Sequence, residues 1–218
     1  MAERDWLAWH DPYDDPSSSL SRRLEVVQRH LTATLDHCAD GTISILSMCA
    51  GQGRELFGVL EGHHRAPDVT ARLVELDDRN VAIAAGRATA LGASRIEVIH
   101  GDAGVADAGI VPPTIVLACG VFGNTSDRDI ESTVAALPTL CGTGAVVIWT
   151  RHRRNPDLTP SIRRWFADAG FEEDAFEALP GTSASVGVHR LVGQPKAFEP
   201  GRRLFRFVGY DSLLAEGG

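Results

Sequence analysis

Short apolar runs that alternate with segments of helical spacing constrain this chain more than any other feature of its sequence. The runs are TISILSM, VTARLVEL, RIEVIH, TIVLACG and GAVVIWT, all between residues 42 and 150. RELFGVLEG, DRNVAIAAGRATAL, SDRDIESTVAALPTL and TPSIRRWFADAG carry helical patterns between and after them. Strands alternating with helices predict an α/β fold with a mostly parallel sheet, right-handed crossovers and helices on both faces. TIVLACG is apolar almost throughout, as a strand covered on both faces should be. FEEDAFEAL and SVGVHRLVG read as two closing strands around PGTSA. In such sheets ligands bind beyond the carboxyl ends of the strands.

Ahead of the first strand, Leu20, Leu24, Val27, Leu31 and Leu35 fall at spacings of three and four, one apolar stripe on a helix. Asp15 before Pro16 marks its expected start. Ser126 or Asp127 is the expected cap of the helix after the fourth strand, Asp77 or Asp78 of the helix after the second, and Gly92 the expected stop of the latter. With no internal repeat and no dividing linker, residues 1–218 read as a single domain. It comprises an N-terminal helical arm (1–39), a core (40–193) and a C-terminal extension (194–218), in which RRLFRFVGYDSLL either adds an edge strand or folds over a mouth.

Composition narrows the function classes. A net charge of −8 over 218 residues argues against a general nucleic-acid or anionic-membrane binder, which needs a basic face. Cys38, Cys49, Cys119 and Cys141 stand far apart without a CxxC pair, so no metal knuckle is expected, and His63 and His64 read as surface residues. The first fifteen residues lack a signal-peptide core, and IVLACGVFG is too short to span a bilayer, so the cytoplasm is the expected location. Lys196 is the only lysine, an arginine bias that hints at a GC-rich bacterial genome.

The chemistry is concentrated at strand ends. In ILSMCAGQGRE an apolar run gives way to Ala50, Gly51, Gln52 and Gly53 and then to helix formers, so either the turn is tight or a ligand lies close to the main chain. Glu75 stands where the second run ends, 22 residues beyond Gly53, placed to accept both hydroxyls of a ribose. Asp102 follows the third run and can accept from an exocyclic amine, with Ala103 beside it. A dinucleotide fingerprint would want glycine where Leu56 stands, and a phosphate loop would want Lys before Ser or Thr, which GQGRELF lacks.

ILSMCAGQGRE, VELDDRNVAIA and IEVIHGDA together resemble the first three motifs of class I S-adenosylmethionine-dependent methyltransferases, over roughly residues 40 to 192. The resemblance implies a seven-stranded, doubly wound sheet with a reversed last strand, S-adenosylmethionine as cofactor and an enzymatic methyl transfer. It places Cys49, Ala50, Gly51 and Gly53 under the methionine moiety, Glu75 on the ribose, Leu76 against the adenine, Asp102 and Ala103 on the adenine edge, and Cys119 and Gly120 nearest the cofactor on the fourth strand. Two positions depart from the pattern: Ser47 stands where the family usually has an acid, and Cys49 where it often has glycine. Cys49 must then avoid positive φ or tolerate strain. A protein that only holds the cofactor or its demethylated product stays open, and an NAD-dependent oxidoreductase is disfavoured by Leu56.

On the acceptor side, Asn124 is a candidate to orient a polar group, and Arg151, leading the run TRHRRNPD, to hold a carboxylate or phosphate of a small-molecule acceptor. His152 is the candidate base. Trp6, Trp9, His10 and Tyr13 either form a lid that contacts the acceptor or pack the arm against the sheet edge. Neither a nucleic acid nor a membrane is an expected partner, and the oligomeric state is not legible.

Overall fold

The computed structural model describes residues 5–106 and 112–209. Its centre is one seven-stranded sheet in the order β3-β2-β1-β4-β5-β7-β6. The strands are β1 (Ile43–Met48), β2 (Val69–Glu75), β3 (Ile96–His100), β4 (Ile115–Ala118), β5 (Val146–His152), β6 (Phe171–Ala178) and β7 (Ala184–Leu191). The first five are parallel to one another, while β7 runs antiparallel to both β5 and β6. The expected doubly wound, mostly parallel sheet with a reversed last strand is what forms, closing hairpin included.

Period-two alternation sorts the strand side chains onto two faces. Ile43 and Ile45 of β1, Leu73 of β2 and Ile115 and Leu117 of β4 join one core with helices α1 (Ser19–His37), α2 (Arg54–Leu60) and α3 (Asp78–Ala90). Leu46 and Met48, Val116 and Ala118, and Val147 and Trp149 face the other core, under α4 (Asp127–Leu140) and α5 (Thr159–Asp168). Helices on both faces bury β4 completely, which is why its sequence shows no polar alternation.

The caps follow local chemistry. Ser126 accepts from Asp129 N and Asp77 from Arg79 N and Asn80 N, and Gly92 ends α3 at φ 63°. The start of α1 differs from expectation. Ser18 is its cap, accepting from Ser21 N, while Asp15 instead accepts from Ser17 N in the preceding turn. The competing serine lies nearer the first apolar residue and wins the cap.

Ahead of α1 the arm forms a 3-10 helix, Ala8–Asp14. Beyond β7 the tail forms no edge strand as far as it is described. Arg203 makes an isolated bridge to Val105, Thr133 Oγ1 donates to Leu204 O, and Val208 N donates to Asn124 O. The tail thereby lies along α4 and reaches the carboxyl ends of the parallel strands; residues 210–214 of the predicted tail segment lie outside the described residues.

Candidate functional site

The carboxyl ends of β1 to β4 converge on a cleft of about 1050 Å³ of empty space, part of it open to solvent. Its middle is the turn between β1 and α2. Ala50 N donates to Val74 O at 3.0 Å, and Gly53 N to Ala50 O at 2.8 Å, which folds the main chain back on itself. Cys49, Gly51 and Gly53 have φ of 51°, 54° and 69°. The two glycines do different work. A Cβ at Gly53 would collide with Phe57 and Leu73, so that glycine serves the packing of α2 on the sheet, and Gly53 does not line the cleft. A Cβ at Gly51 would collide with the His10 ring, on the cleft side. Cys49 is the only non-glycine residue at positive φ among those described, so here the strain is tolerated rather than avoided.

At the β2 end, Glu75 is 9% exposed and its carboxylate is anchored by main-chain amides. Oε2 accepts from Gly51 N at 2.7 Å and Oε1 from Asp77 N at 2.9 Å. Each oxygen keeps a lone pair, so the group can still accept from two hydroxyls. Next to it Leu76 is 63% exposed and lines the cleft, an apolar face without an apolar cover. Asp102 and Ala103 line the same end. Asp102 accepts from Gly104 N at 2.8 Å and from Arg203 Nη1 at 2.5 Å, so the tail fixes its direction.

The opposite end lies over β4 and is built by helices as much as by strands. Cys119 and Gly120 form its floor, with Gly120 N donating to Thr150 Oγ1 at 2.9 Å. Tyr13 from the arm, Arg23 from α1 and Glu55 from the first turn of α2 line its wall. Arg23 Nη2 donates to the Tyr13 hydroxyl at 2.5 Å. Burial pushes the Tyr13 phenol up to about 12, against the nearby Arg23, so it stays neutral. Burial likewise raises the Glu55 carboxyl, with Arg23, Arg54 and Arg87 drawing it down, and keeps the Cys119 thiol protonated. The Cys49 thiol is raised by burial and then by Glu75 and Asp102, its neighbours at the other end.

The arm roofs the cleft. Trp6, Trp9 and His10 line it together with Phe207 of the tail, and the Trp6 and Phe207 rings meet edge to face at 5.0 Å. His10 Nδ1 lies 2.8 Å from Trp6 O. A carbonyl only accepts, so Nδ1 carries the proton and Nε2 presents a lone pair beside Gly51. Burial lowers the His10 pKa, which keeps the ring neutral.

Two acceptor-side expectations meet a different geometry, and a third residue lines the cleft as expected. Arg151 does not line the cleft: it donates to Phe122 O and faces Asp127 at 3.5 Å, its side chain 8% exposed, bracing the turn after β4. His152 also lies outside the cleft lining, and its Nδ1 accepts from Arg154 N at 3.3 Å. Burial, then Arg151 and Arg154, push it down to about 4. Both sit on the last residues of β5, where the antiparallel β7 pairs with them and carries them past the mouth. Asn124 does line the cleft, with Nδ2 donating to Gly120 O at 2.6 Å, so its amide shapes the β4 turn.

His63 and His64, expected as surface residues outside any metal site, share Asp36 as an acidic partner. Asp36 Oδ1 lies 3.5 Å from His63 Nε2 and 3.8 Å from His64 Nδ1. His63 Nδ1 accepts from Arg65 N, and Asp36, His63 and His64 offer ligand atoms within 4.8 Å of one another, a grouping that could hold a metal ion where none was expected.

Arg23, Glu55 and Phe207 were not legible as site residues. Arg23 falls between Leu20 and Val27 at helical spacing, on the margin of the buried stripe, and that is the only sequence signal it gives. Glu55 reads as an ordinary first-turn acid.

No protein-family model matches the sequence, and no curated protein matches it. Solved structures do. An O-methyltransferase family protein from Burkholderia thailandensis superposes with a TM-score of 0.66 at 15% identity, over 88% of this chain and 60% of that one. The magnesium protoporphyrin IX methyltransferase of Synechocystis PCC 6803 with bound SAM gives 0.63 at 13% identity, over 87% and 99%. The [4+2]-cyclase SpnF gives 0.59 at 13% identity, over 79% and 81%. This chain shares the fold of these proteins and spans less than two thirds of the Burkholderia chain. No helix among the described residues is long and apolar enough to cross a membrane.

Proposed function

We propose that the protein is an S-adenosylmethionine-dependent methyltransferase acting on a small molecule. The observation that carries this reading is the pairing of a buried, main-chain-anchored carboxylate at Glu75 with the exposed Leu76 beside it, across the cleft floor from Gly51. A nucleoside fits that pair: its ribose hydroxyls meet Glu75 and its base covers Leu76, with Asp102 and Ala103 at the edge. Cys49, Ala50 and Gly51 lie under the amino-acid end, and Cys119 and Gly120 nearest the sulfur.

Bound there, S-adenosylmethionine would supply a methyl group already activated on a sulfonium. The chain's own task is then alignment and exclusion of water. Trp6, Trp9 and Phe207 wall the acceptor space, which suits a planar apolar face. The anionic acceptor loses its support, because Arg151 braces a turn instead of facing the cleft. His10 takes the role expected of His152. Its Nε2 lone pair faces the cleft and its Nδ1 proton is held by Trp6 O, so it can receive a proton from a hydroxyl or amine acceptor.

A second reading is a protein that holds this cofactor without transferring its methyl. The fold shared with a [4+2]-cyclase supports it, since fold alone does not fix the reaction. Calorimetry with S-adenosylmethionine, S-adenosylhomocysteine and NAD, followed by a methyl-release assay across an acceptor panel, tests both. Binding of the first two with release on at least one acceptor is expected. Binding of NAD alone would move the protein to the oxidoreductases, and binding without release would favour the second reading.

A further inference from the structure

Away from the cleft, three metal-ligating side chains from two segments of the chain converge. Asp36 stands on the last turn of α1, whose exit leads into β1, and His63 and His64 follow α2 on the way into β2. The cluster therefore lies near the amino ends of the strands, and none of its three residues lines the cleft. Arg65 clamps the two segments together. Its guanidinium donates to Cys38 O at 2.9 Å and Ala39 O at 3.0 Å just beyond α1, and its Nε to Asp68 Oδ2 at 2.7 Å. His63 N donates to Leu60 O at 3.3 Å, and His63 O accepts from Ala66 N at 3.0 Å. The main chain on both sides of the cluster is thus set before an ion arrives, which lowers the cost of binding one.

We propose that Asp36, His63 and His64 bind one transition-metal dication of the zinc class. Asp36 Oδ1 is 3.5 Å from His63 Nε2 and 3.8 Å from His64 Nδ1, and the three ligand atoms fall within 4.8 Å of one another. Both separations are too long for hydrogen bonds. They suit two ligands of one tetrahedral ion, which stand about 3.4 Å apart when each is about 2.0–2.1 Å from the metal. Two imidazoles and a carboxylate form a donor set for zinc and its neighbours, whereas magnesium and calcium want oxygen throughout. Three protein ligands leave a fourth position for water. The His63 side chain is 8% exposed and that of His64 70%, so the ion enters from the His64 side. Two adjustments accompany binding. The His63 and His64 rings stack at 4.9 Å and 18°, and an ion lies in the plane of each ring it binds, so the exposed His64 turns out of the stack. Arg65 N donates to His63 Nδ1 at 3.1 Å, which leaves the proton of the metal-free ring on Nε2. The ion takes Nε2 as that proton moves to Nδ1 and the bond from Arg65 N is given up. These two costs hold the affinity to the micromolar range. The bound ion staples the end of α1 to the turn that leads into β2.

The test needs neither cofactor nor acceptor. The wild type, His64→Ala, Asp36→Asn and, as a control at the neighbouring position, His37→Gln are titrated calorimetrically with zinc chloride and magnesium chloride, and melted with and without zinc. The wild type is expected to bind one zinc ion and no magnesium, and to melt higher with zinc in excess. His64→Ala and Asp36→Asn should weaken zinc binding by at least about 10-fold and lose the rise, while His37→Gln keeps both. Because His64 is exposed, its variant should melt like the wild type without zinc, which separates lost binding from lost folding. If the wild type binds no zinc, the site is refuted. If His64→Ala and Asp36→Asn bind zinc as tightly as the wild type, the ion sits elsewhere and the site is refuted again. If His37→Gln loses as much as His64→Ala, the ligand set is wrong. Zinc bound with the expected dependence but without any rise in the midpoint would remove the staple.

Discussion

The two ends of the cleft hold their carboxylates by opposite means. At the β2 end, Glu75 is tied by the amides of Gly51 and Asp77, and Asp102 by the amide of Gly104 and by Arg203. At the β4 end, no hydrogen bond or ion pair anchors the Glu55 carboxylate among the described residues, and Arg23 donates to the Tyr13 hydroxyl instead. One end is therefore part of the scaffold whether or not a ligand is present. The other is arranged at a cost to the folded chain that a ligand would remit. Structure and binding should consequently separate at one end and not at the other.

The largest effect should come from the residue between the ends. His10 lies over Gly51, and replacing it with Ala removes the only neutral imidazole lone pair lining the cleft among the described residues. If it receives the acceptor's proton, kcat falls by about 10²- to 10⁴-fold while calorimetric affinity for the cofactor changes far less. Equal losses in both would show that His10 positions the cofactor and leaves the chemistry alone.

Glu75→Ala comes next, and it should damage both properties. Two amides in the cleft floor lose their acceptor, and a ribose loses its carboxylate, so cofactor affinity should fall by about 100-fold or more. The ligand-free protein should also melt at a lower temperature. A variant that bound weakly but melted like the wild type would mean that the amide anchors matter little to the fold, and the contrast between the ends would disappear.

The same contrast explains what could be seen in the sequence. Glu75, Asp102 and the Gly51 turn stand at strand ends, and a parallel sheet brings successive strand ends to one edge by topology alone. Their chain positions were enough to place them together. Arg23 and Glu55 meet because α1 packs on α2, and no local pattern encodes which flank of α1 faces the cleft. The misplacement of Arg151 and His152 has a related cause. The strand they end is legible in GAVVIWT, but its antiparallel neighbour is paired with both residues, which lie outside the cleft lining. Gly53 reads as the partner of Gly51 because a sequence cannot tell a glycine that admits a ligand from one that admits Phe57 and Leu73.

Glu55→Gln sharpens the comparison, because its effect on the ligand-free protein should have the sign opposite to that of Glu75→Ala. Burial raises the Glu55 carboxyl above its ordinary value, against the pull of Arg23, Arg54 and Arg87. The native state then holds this proton more tightly than the unfolded chain does. The group's stabilising contribution is full below the ordinary carboxylate range and is lost as pH rises through the raised value. Above the raised value the ionised group is a burden, so Glu55→Gln should there melt about 2 °C higher than the wild type, with the gap closing as the pH falls. A lower midpoint across the whole pH range would mean that Arg23 already satisfies Glu55, and that end of the cleft would be scaffold too.

The smallest effect belongs to Cys49, which sits between the two ends at φ 51°. A side chain in the left-handed region costs roughly 1–2 kcal/mol, and glycine removes that strain. Glycine also widens the unfolded ensemble, which takes back about 0.4–1 kcal/mol. Cys49→Gly should therefore stabilise the ligand-free protein by about 0–1.6 kcal/mol, read as a small rise in thermal midpoint. Its thiol also lines the cleft and is felt by Glu75 and Asp102. A fall in the midpoint would show that packing of this thiol outweighs the backbone strain. If cofactor affinity then fell for methylthioadenosine as much as for S-adenosylmethionine, the side chain would belong to the adenosine end rather than to the amino-acid end it lies under.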